Sequence, residues 1–409
     1  MRATNVTRRT GHGSPSIRTM GSAQRKDFVM ENADNDPQLD IVAQRWPDVT
    51  LDEAGRVLAA LAEPMRAQEV LAHSGRPTAS GSTVRTDHGD VFIKRYDRSV
   101  RDTPSILPYH RFVAHLASAG MPCPAFLEFD EHAAPGALRT TLAVGPSVYE
   151  VCPRADGEDR YADALTWDPP RSLAEAEGLG ALLARIALAA ASFDEPRPES
   201  VSPFQDRFGL FASDDLDAAL EDWLAQRPSV ARYLKDTHRD LRRDLAEHRR
   251  LSERISGAYH QLPSCWTHGD PHVSNFLWRG DAPSAAFDFG LADRNAAVFD
   301  LVEALERNAI QFVQIMNGDD TACRPDIAGA IIRGYQRVRP LGDNERALVA
   351  DMLPVAQAEA SLNWIGYYAD GTGRADDAAW CYDVSLIAHT AWFFRPAGRA
   401  FLDAVRAAL

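Results

Sequence analysis

The segment from Cys265 to Gly290, CWTHGDPHVSNFLWRGDAPSAAFDFG, constrains the fold more than any other part of the chain. It reads as a short apolar strand, a polar loop holding His268, Asp270, His272 and Asn275, and a hairpin that delivers Asp288 ahead of Phe289 and Gly290. A loop leaving an apolar strand can point side chains into a cleft. One Asp placed to meet a hydroxyl, with an Asn and a second Asp placed to hold magnesium, is the minimal equipment for phosphoryl transfer from a nucleotide.

Each of these residues also has an ordinary reading. Asp270 can cap its own loop, Asn275 can be a turn residue, and Asp288 can bond local amides at a strand end. Their joint spacing, His-Gly-Asp, four residues, Asn, then Asp-Phe-Gly after a hairpin, favours the chemical reading. Asp270 is then the base that takes the hydroxyl proton. Asn275 and Asp288 offer the hard oxygen ligands that Mg²⁺ prefers. His268, a third candidate catalytic residue, is expected to bond backbone and hold the loop, with His272 supporting Asp270. The alternative is a transition-metal site on His268, Asp270 and His272, which would make a metal-dependent hydrolase. That reading leaves Asn275 and Asp288 without a role.

Lysine is scarce: Lys26, Lys94 and Lys235 are the only ones among 44 basic residues. Lys94 ends the apolar run Val91-Phe92-Ile93, directly after the turn sequence Asp87-His88-Gly89-Asp90. A lysine on such a strand can reach nucleotide phosphates. Its bland alternative is an edge-strand lysine that discourages aggregation. The segment Ser80-Gly81-Ser82 precedes the hairpin and is a weaker candidate for laying backbone amides over phosphates, since it lacks the ending of a Walker A loop.

Periodicity predicts strands over Ala67–His73, Ser82–Thr86, Val91–Tyr96, Leu138–Val144 and Val148–Cys152, with a helix over Pro108–Ala119. Helical pieces around Leu39–Arg45 and Leu51–Leu61 precede them. From Ser172 onward the pattern is mostly helical, including Asp214–Leu224, Ala231–Arg249, Val298–Asn308, Asp326–Val338, Asn344–Tyr368 and Ala375–Phe394. The expected organisation is therefore a leader over 1–35, a β-rich nucleotide-binding lobe over 36–153 and a helical catalytic and substrate-binding lobe over 154–409. The leader, rich in Arg and Ser, is expected to be disordered or to precede the real start at Met20 or Met30. A transit peptide is the alternative.

The formal charge of -14 argues against nucleic acid as a main partner and is compatible with a cationic substrate. Five scattered cysteines without a CxxC pair suit reduced thiols in a cytoplasmic protein. No apolar run approaches the roughly 20 residues needed to span a bilayer. A monomer or a homodimer is equally compatible with these features.

The sequence resembles the aminoglycoside phosphotransferase and choline kinase-like family. The resemblance rests on His268-Gly269-Asp270-Pro271-His272-Val273-Ser274-Asn275, on Asp288-Phe289-Gly290 followed by Asp300, and on Lys94. Leu107-Pro108 and Gly120-Met121-Pro122-Cys123-Pro124 resemble its homoserine kinase-like branch. Membership implies an α+β bilobal protein kinase-like fold, a small antiparallel β lobe with a larger helical one. It implies ATP, sometimes GTP, with magnesium, and a small-molecule hydroxyl as acceptor on an antibiotic, amino alcohol, homoserine or sugar. It also implies Asp270 as base, Asn275 and Asp288 as metal ligands and Lys94 on the phosphates. Ser82 is a further candidate there, and the base would meet backbone near Glu150 and Cys152. Two departures stand out. The helix after Lys94 lacks the Glu that normally pairs with such a lysine, which leaves a non-catalytic nucleotide-binding pseudokinase as an alternative, and Ser274 stands where Gly is common.

Overall fold

The computed structural model describes residues 46–76, 78–130, 138–164, 166–197 and 208–409. The expected leader and the helical piece at Leu39–Arg45 lie outside the described residues. Ile41–Leu409 forms one compact unit.

Helix α1 (Leu51–Ala59) starts where Thr50 accepts the Glu53 N–H at 3.2 Å and the Glu53 carboxylate returns to the Thr50 N–H. This reciprocal cap satisfies two amides that a helix start otherwise leaves open. Five strands follow: β1 (Ala67–Arg76), β2 (Ala79–Thr86), β3 (Gly89–Asp97), β4 (Leu142–Val144) and β5 (Ser147–Pro153). They form one antiparallel sheet in the order β1-β2-β3-β5-β4.

Because side chains alternate along a strand, the sheet sorts its residues by face. Val84, Val91, Ile93, Tyr149 and Val151 pack under α1. The intervening positions, including Lys94, Tyr96 and Glu150, face the other way, toward helix α2 (Thr103–Ser118). Helix α2 starts at Thr103, not at Pro108 as expected. Asp102 accepts the Ser105 N–H at 3.1 Å, and that cap outweighs the single helical hydrogen bond Pro108 cannot make.

The larger part holds α3 (Leu173–Ala190), α4 (Leu216–Ala225), α5 (Pro228–Asp236), α6 (Ala246–Tyr259), α7 (Phe299–Ala309), α8 (Pro325–Val338), α9 (Asp343–Gly366) and α10 (Pro396–Ala408). The single helix expected over Ala231–Arg249 is broken. His238 takes a left-handed conformation (φ 55°), and Asp240 caps a new turn by accepting the Arg242 and Arg243 amides. The last expected helix changes character at Cys381–His389, which is π-helical.

Two small sheets interrupt the helices. β6 (Ser264–Thr267) pairs with β9 (Asp293–Ala296), and β7 (Phe276–Arg279) pairs with β8 (Ala282–Ala286). This is the bilobal kinase-like α+β architecture anticipated from the sequence, with the polar loop between β6 and β7 beside the β lobe.

Candidate active site

The loop after β6 is held by α7. Asp300, in the first turn of that helix, accepts the His268 and Gly269 N–H groups at 2.7 and 2.8 Å. Asn308, in its last turns, accepts the Val273 N–H at 3.0 Å and donates to the Pro271 carbonyl at 2.9 Å. Gly269 has φ 85°, and a Cβ there would fall 2.1 Å from the Leu291 carbonyl oxygen, so only glycine fits.

His268 is a brace. Its Nε2 donates to the Phe287 carbonyl at 2.9 Å, while Nδ1 accepts the Asp270 N–H at 3.2 Å, an arrangement that assigns the neutral Nε2–H tautomer. His272 Nδ1 lies 2.7 Å from Ser274 Oγ. With both His268 nitrogens engaged in this way, a histidine-based metal centre has no geometry to stand on. Among the described residues no group of three or more His, Cys, Asp or Glu is placed to hold a metal ion.

Asn275 donates Nδ2–H to the Asp270 carbonyl at 2.8 Å, which leaves Oδ1 as the oxygen it can offer a ligand. Its own carbonyl accepts the Phe287 N–H at 3.1 Å, tying the loop to the residue before Asp288. Asp288 adopts the left-handed region (φ 59°, ψ 56°), unusual for a residue with a Cβ and tolerated best by Asn and Asp. Its Oδ1 sits 2.7 Å from Lys94 Nζ. Asn275 and Asp288 thus supply hard oxygens, the donor chemistry a magnesium ion takes.

Lys94 is surrounded by anionic and aromatic groups. Burial alone would lower its pKa, but Asp288, Tyr96 and Glu150 raise it above the ordinary lysine range, so it stays charged. Lys94 and Glu150 are partners across the β3–β5 ladder. The Glu150 carboxylate accepts from Tyr109, from His110 Nε2 at 2.9 Å and from Tyr96 at 3.4 Å.

The remaining candidates are placed as follows. Ser82 is buried within β2, its Oγ 3.0 Å from His73 Nδ1, and its backbone stands between His73 on β1 and Ile93 on β3. Ser80–Ser82 is therefore strand, and the connection from β1 lies just before Ala79. Cys152 pairs with Phe92 on the ladder, and burial pushes its thiol pKa up to about 12.

Beside Asp270 lies a charged wall that the sequence reading did not single out. Arg307 Nε stands 3.7 Å from Asp270 Oδ1, and His272 Nε2 stands 3.6 Å from Oδ2. Arg307 also pairs with Glu306, with Glu303 at 3.4 Å and with Gln357 at 3.0 Å, under the Trp167 ring. Glu306 accepts Trp167 Nε1–H at 3.1 Å and lies 2.9 Å from His389 Nε2 at the end of the π-helical segment. Burial lowers the Arg307 pKa, yet Glu306, Glu303 and Asp270 raise it overall. A signal was present: Asp300, Glu303 and Arg307 recur at i, i+3 and i+7, one face of α7, the face whose Asp300 holds the loop. Further along the chain, Glu359 on α9 accepts the Leu210 and Phe211 amides at 3.2 and 3.4 Å.

Comparison with known proteins places the chain in a family. A model of the phosphotransferase enzyme family matches residues 76–341. The homoserine kinase of Gluconobacter oxydans (strain 621H) is 26% identical over 305 residues, covering 71% of this chain and 81% of the relative. That of Methylorubrum populi is 28% identical over 323 residues, covering 78% and 86%. Among solved structures, a microcompartment-associated aminopropanol kinase superposes with a TM-score of 0.51 at 13% identity, over 86% of this chain and 99% of that one, a likeness of fold. The chain belongs to the phosphotransferase enzyme family. Within it, the protein is a small-molecule kinase, a phosphotransferase with an alcohol group as acceptor.

Proposed function

We propose that the protein transfers the γ-phosphate of ATP to a hydroxyl of a small polar substrate, with Asp270 as the base. The observation that carries this reading is the Lys94–Asp288 pair. Residues 194 positions apart meet at 2.7 Å beside the loop that holds Asp270. GTP is the alternative nucleotide. In this reading Lys94 grips the phosphates, and Asn275 Oδ1 and the Asp288 carboxylate would hold magnesium, whose charge would offset that on the phosphate oxygens. Asp270 orients the acceptor hydroxyl and takes its proton as the phosphate arrives. The Asp300 and His268 contacts hold the Asp270 backbone, so little reorganisation is needed at the moment of reaction.

The wall of Glu303, Glu306 and Arg307 supports a charged, polar acceptor. The homoserine kinases among the relatives favour a hydroxylated amino acid or amino alcohol, ahead of an aminoglycoside antibiotic or a sugar. The free cysteines suit a cytoplasmic setting.

A screen for acceptor-dependent ADP release across hydroxyl amino acids, amino alcohols, aminoglycosides and sugars tests the reading. Asp270→Ala is expected to lower turnover by roughly 10²–10⁴-fold while sparing nucleotide binding. Full activity in that variant would refute the base assignment. The absence of any magnesium-dependent nucleotide thermal shift would refute the kinase reading itself.

A further inference from the structure

A lysine that grips nucleotide phosphates needs an anion to hold it in place when the metal-binding carboxylate beside it is occupied. Helix α2 carries no Asp or Glu anywhere along Thr103–Ser118. The side chains it sends toward Lys94's neighbourhood are Tyr109 and His110, and both bond the same group, the Glu150 carboxylate. We propose that Glu150, a strand residue, is the positioning acid of Lys94, and that Lys94 is handed between Asp288 and Glu150 as metal and nucleotide bind. The proposal rests on the phosphotransferase reading above.

Three observations support it. First, Lys94 and Glu150 are directly opposed on the β3–β5 ladder, so their side chains leave the sheet on one face. Second, Glu150 is buried, at 7% exposure, and an isolated buried carboxylate would be strongly disfavoured. Burial pushes its pKa up, but His110, Lys94 and Tyr109 bring it below the ordinary carboxylate value, so it is held as an anion. Third, the group is fixed from behind. His110 Nδ1 lies 2.7 Å from Thr140 Oγ1, and its ring stacks on Phe126 with centroids 3.5 Å apart. Tyr96, whose ring lies 5.3 Å from Lys94 Nζ, reaches Glu150 through its hydroxyl.

The consequence is a competition at Asp288. Asp288 and Lys94 neutralise each other at 2.7 Å. Were Asp288 engaged by a divalent cation, Glu150 would keep the Lys94 ammonium in the cleft, where phosphate oxygens could complete its contacts. Neutralising Glu150 leaves Lys94 more dependent on Asp288 and makes the cation compete harder for it.

Calorimetric binding of a non-hydrolysable ATP analogue, titrated against magnesium, tests this in the full chain. Glu150→Gln is expected to weaken nucleotide binding about tenfold and to raise the magnesium concentration at half-saturation several-fold. In a Lys94→Met background the same change is expected to have little further effect, because the lysine it acts through is gone. An equal loss in both backgrounds would mean that Glu150 serves only structure, and would overturn the proposal. So would unchanged magnesium dependence. The exchange variant His110→Glu/Glu150→Gln returns the acid to α2 and is expected to recover binding to within about threefold of wild type. It also covers the case in which Glu150→Gln alone does not fold, and failure to recover binding in a folded exchange variant counts against the proposal. If wild-type protein itself binds no nucleotide with magnesium, the phosphotransferase reading falls first and this one with it.

Discussion

Buried histidines in this protein differ because their neighbours differ. Burial lowers the pKa of His110 and His389, while Glu150 and Glu306 respectively counteract it. His248, on α6, has no such acid. Its ring meets Phe394 edge-on at 5.3 Å, both nitrogens lack a hydrogen-bond partner among the described residues, and burial takes its pKa from 6.5 to about 4. The folded protein therefore refuses a proton that the unfolded chain accepts below pH 6.5. Stability contributed by a neutral His248 is complete above that pH and is lost as pH falls toward 4. The loss amounts to about 2 kcal/mol by pH 5 and roughly 3 kcal/mol below pH 4. His248→Leu is expected to narrow the gap in urea-unfolding free energy between pH 7.5 and pH 5 by about 2 kcal/mol. An unchanged gap would place the acid sensitivity elsewhere. None of this was legible beforehand, since a histidine in an Arg-rich helical stretch gives no sign of which face is buried.

At the scale of elements, the close crossing of α3 and α8 depends on two glycines. A Cβ on Gly180 would lie 2.0 Å from the Ile331 carbonyl oxygen, and one on Gly334 would lie 2.1 Å from that of Glu177. Helix propensity alone favours Ala over Gly by about 1 kcal/mol. Here the backbone contact cannot yield, so forcing the helices apart wins. Gly334→Ala is expected to destabilise the protein by about 1–3 kcal/mol in denaturant unfolding. A gain in stability would show that the helices separate freely. Element existence was largely readable because caps and periods are short-range signals. Thr50 and Ser172 sit one residue before helices that begin at Leu51 and Leu173. The breaks were less readable. His238 in the left-handed region and the π-helical Cys381–His389 depend on packing around them.

Across the whole molecule, one face of the sheet joins the core of the helical lobe, while its other face packs with α1 in a cluster of its own. Tyr96, Tyr109 and Phe112 belong to the same apolar cluster as Trp266, Phe289 and Leu305. Phe112 touches both Trp266 and Phe289, with ring centroids 5.7 and 5.9 Å apart. A shared core makes the lobes melt together. Scanning calorimetry is expected to give a single endotherm whose calorimetric and van't Hoff enthalpies agree. Two resolved transitions would mean that the lobes fold independently. The sequence by itself determined the loop, the hairpin that follows it, and the scarcity that made Lys94 conspicuous, because each is a pattern within a few residues. It could name Asp270, Asn275 and Asp288 as a set, since their spacing is local. Only the tertiary structure decided that Arg307 faces Asp270 and that the acid opposite Lys94 comes from β5. Those contacts join segments whose separation is fixed by how sheet and helices pack, and no local pattern encodes that packing.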